Sequence, residues 1–192
     1  MIRSIALAWL VAVSAPALAA PVFEEVRVEA DGTTTLSHQI VIADAPQDVW
    51  TAISSIDGWK TWAVPVGWAS ADQPNVIETS YNPGARPGDA TNINNEFVSA
   101  VPGRQLVFRT IKAPRGFPHF EALSRVAQRF ELAPKGDGTR VTLTGTGYAD
   151  SEPGQAVLAF FRSGNKVSLE MLRDGLEKGP IDWADKLRQP LK

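Results

Sequence analysis

Residues 40–62 read I-V-I-A-D-A-P-Q-D-V-W-T-A-I-S-S-I-D-G-W-K-T-W, and this stretch decides the fold. Its β-branched start predicts a strand. Asp44 is placed to cap a helix, and Pro46 falls in the first turn, where a missing N–H costs nothing. The apolar residues that follow share one helical face, and a second short turn ends on Trp59 and Trp62. The stretch therefore predicts one strand followed directly by two short helices.

Strands are predicted on both sides of this stretch. Residues 23–29 and 34–42 alternate around Asp31-Gly32, which is a strong hairpin signal. Further strands are predicted at 75–81, 91–101, 104–111, 125–132 and 139–148. In the last two strands one face is apolar and the other is polar. This pattern is typical of an antiparallel sheet with one covered face.

Residues 154–177 predict one long amphipathic helix that covers the sheet. The centre of its apolar side carries Gly164, Ser168 and Gly175. Two interpretations fit small residues there: close approach of the helix to the sheet, or a helix that bridges a hollow. The element order predicts an α+β helix-grip fold, in which a curved antiparallel sheet wraps around the long C-terminal helix.

Composition limits the classes of function. The 192 residues are 44% hydrophobic and 21% charged, which is ordinary for one globular domain. The formal net charge is −2, so no basic excess is available for nucleic acid. The chain has no cysteine, which excludes disulfides, thiolate metal sites and a cysteine nucleophile.

The first 20 residues have the pattern of a secretory signal peptide. Arg3 precedes an apolar run at 5–13, and Ala17-Leu18-Ala19 is a cleavage-site pattern. The run is shorter than the roughly 20 residues that a membrane-spanning helix needs. We expect a periplasmic or secreted protein whose mature chain begins at about Ala20. The expected organisation is signal peptide 1–20, extension strand 21–33, ligand-binding domain 34–177 and tail 178–192.

Several motifs carry a resemblance to a known family. They are A-P-Q-D-V-W, D-G-W-K-T-W, I-E-T-S-Y, N-E-F-V-S-A-V-P-G-R-Q-L-V-F-R-T, G-T-R-V-T-L-T-G-T-G-Y and F-F-R-S-G-N-K. In this order they resemble the START-like superfamily, also called SRPBCC or Bet v 1-like, over residues 34–177. The chain is most similar to bacterial proteins of the polyketide cyclase/dehydrase and activator-of-Hsp90-homologue type.

The resemblance implies a deep apolar cavity between the sheet and the last helix. Members bind lipids, sterols, polyketides or other aromatic molecules, and some catalyse cyclisation or dehydration. The family has no universal catalytic residue, so fold alone does not decide function.

The candidate site residues are those expected to reach this cavity. A long loop at 112–122 carries Phe117 and Phe120, which would form a lid or cavity mouth, or else tuck against the core edge. The expected apolar walls are Trp62, Trp68, Phe117, Phe120, Phe161 and Met171. Gln128 and Tyr81 would orient a guest by hydrogen bonds, and Gly164 and Ser168 would leave room for it.

His38 and Glu78 are the weak candidates for catalysis. Either could act as an acid or base in an apolar cavity. The alternatives are a hydrogen-bonded structural histidine and a surface glutamate. With two histidines and no metal-ligand spacing, we expect no metal and no cofactor.

Three functions are therefore open. The first is a periplasmic carrier of a small hydrophobic or amphipathic molecule. The second is a cyclase- or dehydratase-like enzyme, which requires two ionisable groups that converge in one cavity. The third is a protein-interaction domain with a collapsed cavity and an exposed apolar patch. Peripheral contact with a membrane fits the first, and the sequence favours no oligomeric state.

Overall fold

One antiparallel sheet of eight strands forms the body of the protein. The computed structural model describes residues 20–188, so residues 1–19 of the expected signal peptide and the last four residues lie outside the described part. The strand order is β1-β2-β8-β7-β6-β5-β4-β3. The strands are β1 Phe23–Val28, β2 Thr34–Ile42, β3 Val66–Ala69, β4 Val76–Ser80, β5 Ile93–Val101, β6 Gln105–Lys112, β7 Ala127–Lys135 and β8 Gly138–Tyr148.

Five helices complete the described chain. They are α1 Pro46–Ser54, α2 Ile56–Trp62, α3 Phe120–Ser124, α4 Glu152–Glu177 and α5 Trp183–Lys186. The α+β helix-grip prediction is confirmed, with two short helices after β2 and the long helix α4 packed on the sheet. Within residues 20–188 no helix is both long enough and apolar enough to span a membrane.

Helix α1 begins one residue later than its sequence predicts. Its N-cap is Ala45, which makes no side-chain capping bond, so the prediction of an Asp44 cap is wrong. Ala45 has φ −64° and ψ 150° because the residue before a proline is held in an extended conformation. Asp44 instead accepts a hydrogen bond through its backbone oxygen from Thr139 Oγ1, at 2.7 Å.

The sheet has an inner face, which we define as the face that packs against α1, α2 and α4. On β2 it carries Leu36, His38, Ile40 and Ile42, all at most 2% exposed. Gln128, Phe130 and Leu132 of β7 lie on the same face, as their alternation predicts. The opposite, outer face carries Ser37 and Thr144, whose hydroxyl oxygens are 3.0 Å apart.

Helix α4 is rotated relative to the prediction. Its buried line runs through Val157, Asn165, Leu169 and Leu172, whereas Phe160 is 54% exposed. The apolar side of α4 has one flank that carries Phe160 and another that carries Leu169 and Leu172. The sheet contacts the flank with the leucines, and Gly164, Ser168 and Gly175 lie beside the contact. The gain from burying Leu169 and Leu172, both 0% exposed, accounts for this orientation.

The two glycines on this side of α4 have different surroundings. A Cβ at Gly175 would lie 2.9 Å from Trp62 Cβ, so this glycine permits close approach of α2. A Cβ at Gly164 would meet nothing within 4 Å. The small residues of α4 thus serve close packing at one end and border open space near its middle.

Two elements were not predicted from the sequence. Strand β3 is four residues long and contains Gly67, so it is too short to show an alternating pattern. Helix α3 begins within the predicted loop, after His119, which has a positive φ of 58°, and extends two residues beyond the end of that loop.

Candidate functional site

Three buried polar side chains on the inner side of the molecule have an atom without a hydrogen-bond partner. The atoms are His38 Nδ1, Gln128 Oε1 and Asn165 Nδ2. Their residues are 1%, 3% and 5% exposed. Buried polar groups are nearly always paired, so such atoms mark places where a further polar group can bind. Comparable atoms in Asn94 and Arg129 belong to the outer face, and one in Asn92 belongs to the loop that binds Glu78.

His38 is held by a carboxylate from the neighbouring edge strand. Glu24 of β1 is directly opposite His38 in the strand register, and Glu24 Oε2 lies 3.2 Å from His38 Nε2. The other carboxylate oxygen of Glu24 accepts from Arg162 of α4, at 2.6 Å from Nη2 and 2.7 Å from Nε. These bonds tie β1, β2 and α4 together around the histidine.

The charges around His38 set its protonation. Hydrogen bonding to Arg162 holds the pKa of Glu24 below its ordinary value, so Glu24 is an anion. A carboxylate anion accepts a hydrogen bond from the nearer ring nitrogen, which places the hydrogen of His38 on Nε2. Burial lowers the pKa of His38, which favours the neutral ring. In the neutral ring Nδ1 is then a buried hydrogen-bond acceptor without a partner.

Gln128 lies next to a buried tyrosine. Its Nε2 donates to Tyr148 Oη at 3.1 Å, and Tyr148 is 0% exposed. Gly145 pairs with Gln128 across the strands, and a Cβ at Gly145 would overlap the Tyr148 hydroxyl. The missing side chain therefore lets the tyrosine reach over β8. Burial raises the pKa of Tyr148, which keeps the phenol neutral.

Asn165 faces the same region from α4. It lies four residues after Phe161 and four before Leu169, on the buried line of the helix. The ring of Phe161 contacts the ring of Tyr148, with centroids 6.0 Å apart. The helix thus brings an amide to the part of the interior that His38 and Gln128 approach from the sheet. Neither Asn165 nor Tyr148 was predicted, although the four-residue spacing of 161, 165 and 169 would have revealed Asn165.

Apolar side chains surround these polar groups. Leu36, Leu123, Val126, Tyr148 and Val157 form one buried cluster, with Phe117 and Phe161 packed against it. The ring of Phe160 contacts the rings of both phenylalanines. Its centroid lies 5.6 Å from that of Phe117 and 5.4 Å from that of Phe161. Beside them is the open space at Gly164. We call this set of polar atoms, apolar cluster and aromatic border the inner site.

The structure brings together only part of the predicted ligand set. Gln128 and Phe161 belong to the inner site, and Phe117 and Gly164 border it. Ser168 is half-buried, one turn further along α4. Phe120 begins α3 and is 37% exposed. Trp62 and Met171 pack in the main core between α1, α2 and the sheet. Trp68 lies on edge strand β3, and Tyr81, 59% exposed, follows β4, so both lie at the far side of the sheet.

Glu78 lies on the outer face, where its carboxylate has a structural role. Ile77 packs against Trp59 on the inner face, so the next side chain points the opposite way. Glu78 Oε1 accepts from Gly88 N and from Asn92 Nδ2, both at 2.9 Å. These bonds anchor the loop between β4 and β5.

His38 and Glu78 do not converge. They lie on opposite faces, on strands β2 and β4, with β8, β7, β6 and β5 between them. Five strand spacings correspond to roughly 24 Å along the sheet. The pair of ionisable groups that the enzyme hypothesis requires is therefore not formed by these two residues.

Two open clefts lie on the outer face. The larger, of about 590 Å³, runs along β1, β2, β8 and β7 and is lined by threonines, Ser37 and charged side chains such as Arg27 and Glu131. The smaller, of about 420 Å³, lies beside Arg104 and Arg140. Both are open surface grooves rather than enclosed containers. Within residues 20–188 no group of three or more histidine or acidic side chains could hold a metal ion.

Comparisons with known proteins place the fold. A family model described as polyketide cyclase/dehydrase and lipid transport matches residues 33–178. None of the curated proteins compared with the chain matches it.

Solved structures show the same architecture at low sequence identity. The Aha1 dimer from Colwellia psychrerythraea is 19% identical with a TM-score of 0.57, and the match covers 76% of this chain and 97% of that one. CalU16 from Micromonospora echinospora is 15% identical with a TM-score of 0.55, with 87% and 88% covered. The protein MLL2253 from Mesorhizobium loti is 16% identical with a TM-score of 0.58, with 77% and 99% covered. At these identities the likeness is one of fold.

Proposed function

Because the chain belongs to the polyketide cyclase/dehydrase and lipid transport family, we propose that it carries a small, mostly apolar molecule at the inner site. The observation that carries the proposal is the set of three buried, unpartnered polar atoms in His38, Gln128 and Asn165. They lie beside an apolar cluster, and a site with apolar walls and a few polar groups is typical of small-molecule binding.

The border at Phe117, Phe160 and Gly164 is the proposed entrance. Phe117 belongs to the segment between β6 and α3, and Phe160 is half exposed. A small displacement of this segment from α4 would open the inner site without disturbing the main core, which lies at the other end of the helix. The carrier proposal also fits the distance between His38 and Glu78, since carriage needs no acid–base pair.

The expected signal peptide supports a periplasmic or secreted location for this carrier. Intact-mass measurement of protein exported by a bacterial host tests the location. We expect a mature chain that begins near Ala20. A full-length mass that starts at Met1 in the cytoplasmic fraction would contradict it.

Native mass spectrometry of the mature protein tests the carrier function. We expect a copurifying small apolar molecule that is released on denaturation. Gly164→Phe should lower its occupancy, because the new ring would enter the open space at the entrance. Ser163→Phe is the matched control, since Ser163 is exposed on α4. A clean apo mass, with no response to an apolar dye, would contradict the carrier.

An interaction domain is the second candidate, because α4 exposes apolar side chains. Phe160 and Val167 are 54% and 52% exposed. A clean apo mass together with loss of a partner on Phe160→Ser would favour this function.

A further inference from the structure

We propose that His38 selects guests that carry a hydroxyl group, by accepting a hydrogen bond from that hydroxyl at Nδ1. The proposal rests on the proposed function and adds the class of guest: an alcohol or phenol with an apolar body. Nδ1 is suited to this role because it is buried, lies on the inner face and has no partner in the protein.

The direction of this hydrogen bond follows from the bonds on the other side of the ring. Glu24 Oε2 lies 3.2 Å from Nε2, and the carboxylate is kept ionised by Arg162 at 2.6 Å. The proton of a neutral ring therefore stays on Nε2, and Nδ1 can only accept. A guest that has only acceptors, such as an ether or a carboxylate, would leave Nδ1 unpaired.

The charged groups that face His38 do not change this preference. Burial opposes the protonated ring most strongly, and the positive charge of Arg162 from α4 opposes it as well. Glu24 from β1 and hydrogen bonding to the Arg162 backbone favour it, and the pKa is lowered overall. Arg162 is already bound to Glu24, so it is not a free counter-ion for an anionic guest. A neutral hydroxyl is the group that satisfies Nδ1 without burying a charge.

Asn165 extends the same recognition. Its unpartnered atom, Nδ2, is a donor, so a hydroxyl oxygen can accept a bond from it while the hydroxyl hydrogen is donated to His38. The unpartnered Gln128 Oε1 is a second acceptor, which would need another donor on the guest. Glu24 acts through His38 as a positioning residue, and it lies in β1, before the first residue of the family match.

Calorimetric titration with a matched pair of probes tests the proposal. The probes are 2-naphthol, which donates a hydrogen bond, and 2-methoxynaphthalene, which does not. We expect the wild-type protein to bind 2-naphthol about tenfold more tightly, the size of one buried hydrogen bond. His38→Phe should lose this preference and still bind 2-methoxynaphthalene. Glu25→Gln, on the outer side of β1, is the control that should keep it.

The outcomes separate the two proposals. If neither probe binds the wild-type protein and no copurifying molecule is found, the carrier function fails. If both probes bind equally well, or His38→Phe keeps the preference, the carrier function stands and the role of His38 is wrong.

Nitrogen NMR of the wild-type histidine gives a test that needs no variant at His38. We expect the Nε2–H tautomer at neutral pH and a shift of the Nδ1 resonance on addition of 2-naphthol but not of 2-methoxynaphthalene. Glu24→Leu should remove the preference for the Nε2–H tautomer and weaken 2-naphthol binding. Glu24→Asp should keep part of that preference and part of that affinity. A proton found on Nδ1 in the wild-type protein would overturn the proposal.

Discussion

His38 makes the stability of the protein depend on pH. Burial lowers the pKa of His38 below its ordinary value of 6.5, so below that pH the unfolded chain gains a proton before the folded protein does. Stability conferred by the neutral ring is present above pH 6.5 and is lost as the pH falls toward the lower, folded pKa.

The resulting prediction compares urea unfolding of wild type and His38→Phe at pH 7 and pH 5. We expect the free energy of unfolding to fall more for the wild type than for His38→Phe, because the variant has no ring to protonate. His119 is common to both chains and cancels. Equal pH dependence in the two proteins would show that His38 is not held neutral.

The bond between Gln128 and Tyr148 supplies a second prediction at the scale of residues. Tyr148→Phe should lower the free energy of unfolding by about 1–3 kcal/mol, because it leaves the Gln128 amide buried without a partner. Gln128→Leu should lower the free energy of unfolding less in the Tyr148→Phe protein than in the wild type. A double-mutant cycle by denaturant unfolding measures the coupling, and strictly additive effects would show that the bond is not formed.

At the scale of elements, α4 offers two glycines with opposite expectations. Gly175→Ala should destabilise the protein, because the new Cβ would lie 2.9 Å from Trp62 Cβ and 3.3 Å from the backbone oxygen of Thr61. Gly164→Ala should stabilise it by about 0.5–1 kcal/mol, because alanine favours the helix and open space receives the methyl group. Thermal unfolding of the two variants checks the contrast, and a similar effect of both would contradict the orientation of α4.

The same helix shows what the sequence could and could not predict. The length and the amphipathic pattern of α4 follow from a period of 3.6 residues in the sequence. The hairpin of β1 and β2 follows from the alternation of side chains around Asp31-Gly32. The rotation of α4 did not follow, because both flanks of its apolar side carry large residues and only the sheet decides which flank it contacts. That rotation buries Asn165 and exposes Phe160.

The same reasoning applies to the site. Gln128 could be placed from its own strand, since Phe130 and Leu132 share its face. The positions of Tyr81 and Trp68 could not be predicted in this way, because they depend on where β4 and β3 lie in the strand order of the sheet. Glu24 lay outside the family resemblance, and only strand pairing brings it to His38.

At the scale of the whole molecule, the main core and the smaller cluster around Trp59 share neighbours. Phe97 and Phe108 pack against both. The long helix contacts α1, α2, α3, β2 and β8, so it joins these clusters to the inner site.

We therefore expect a single cooperative unfolding transition. Far-ultraviolet circular dichroism and tryptophan fluorescence should give the same midpoint in urea, because no cluster can open without exposing a neighbour. Separate midpoints would show that the region around the inner site unfolds independently of the main core.

The edge strand β1 has a consequence for how such a scaffold could acquire new specificities. It is paired to the sheet through β2 alone, and none of its residues belongs to the main core. Yet its Glu24 side chain lies 3.2 Å from Nε2 of His38 and, in the role proposed for this histidine, leaves Nδ1 free. A designer could therefore exchange this peripheral six-residue strand so that the interior prefers guests that accept a hydrogen bond over guests that donate one. Under the proposed role of His38, the container and the residue that sets its chemical preference would be separable parts of one chain.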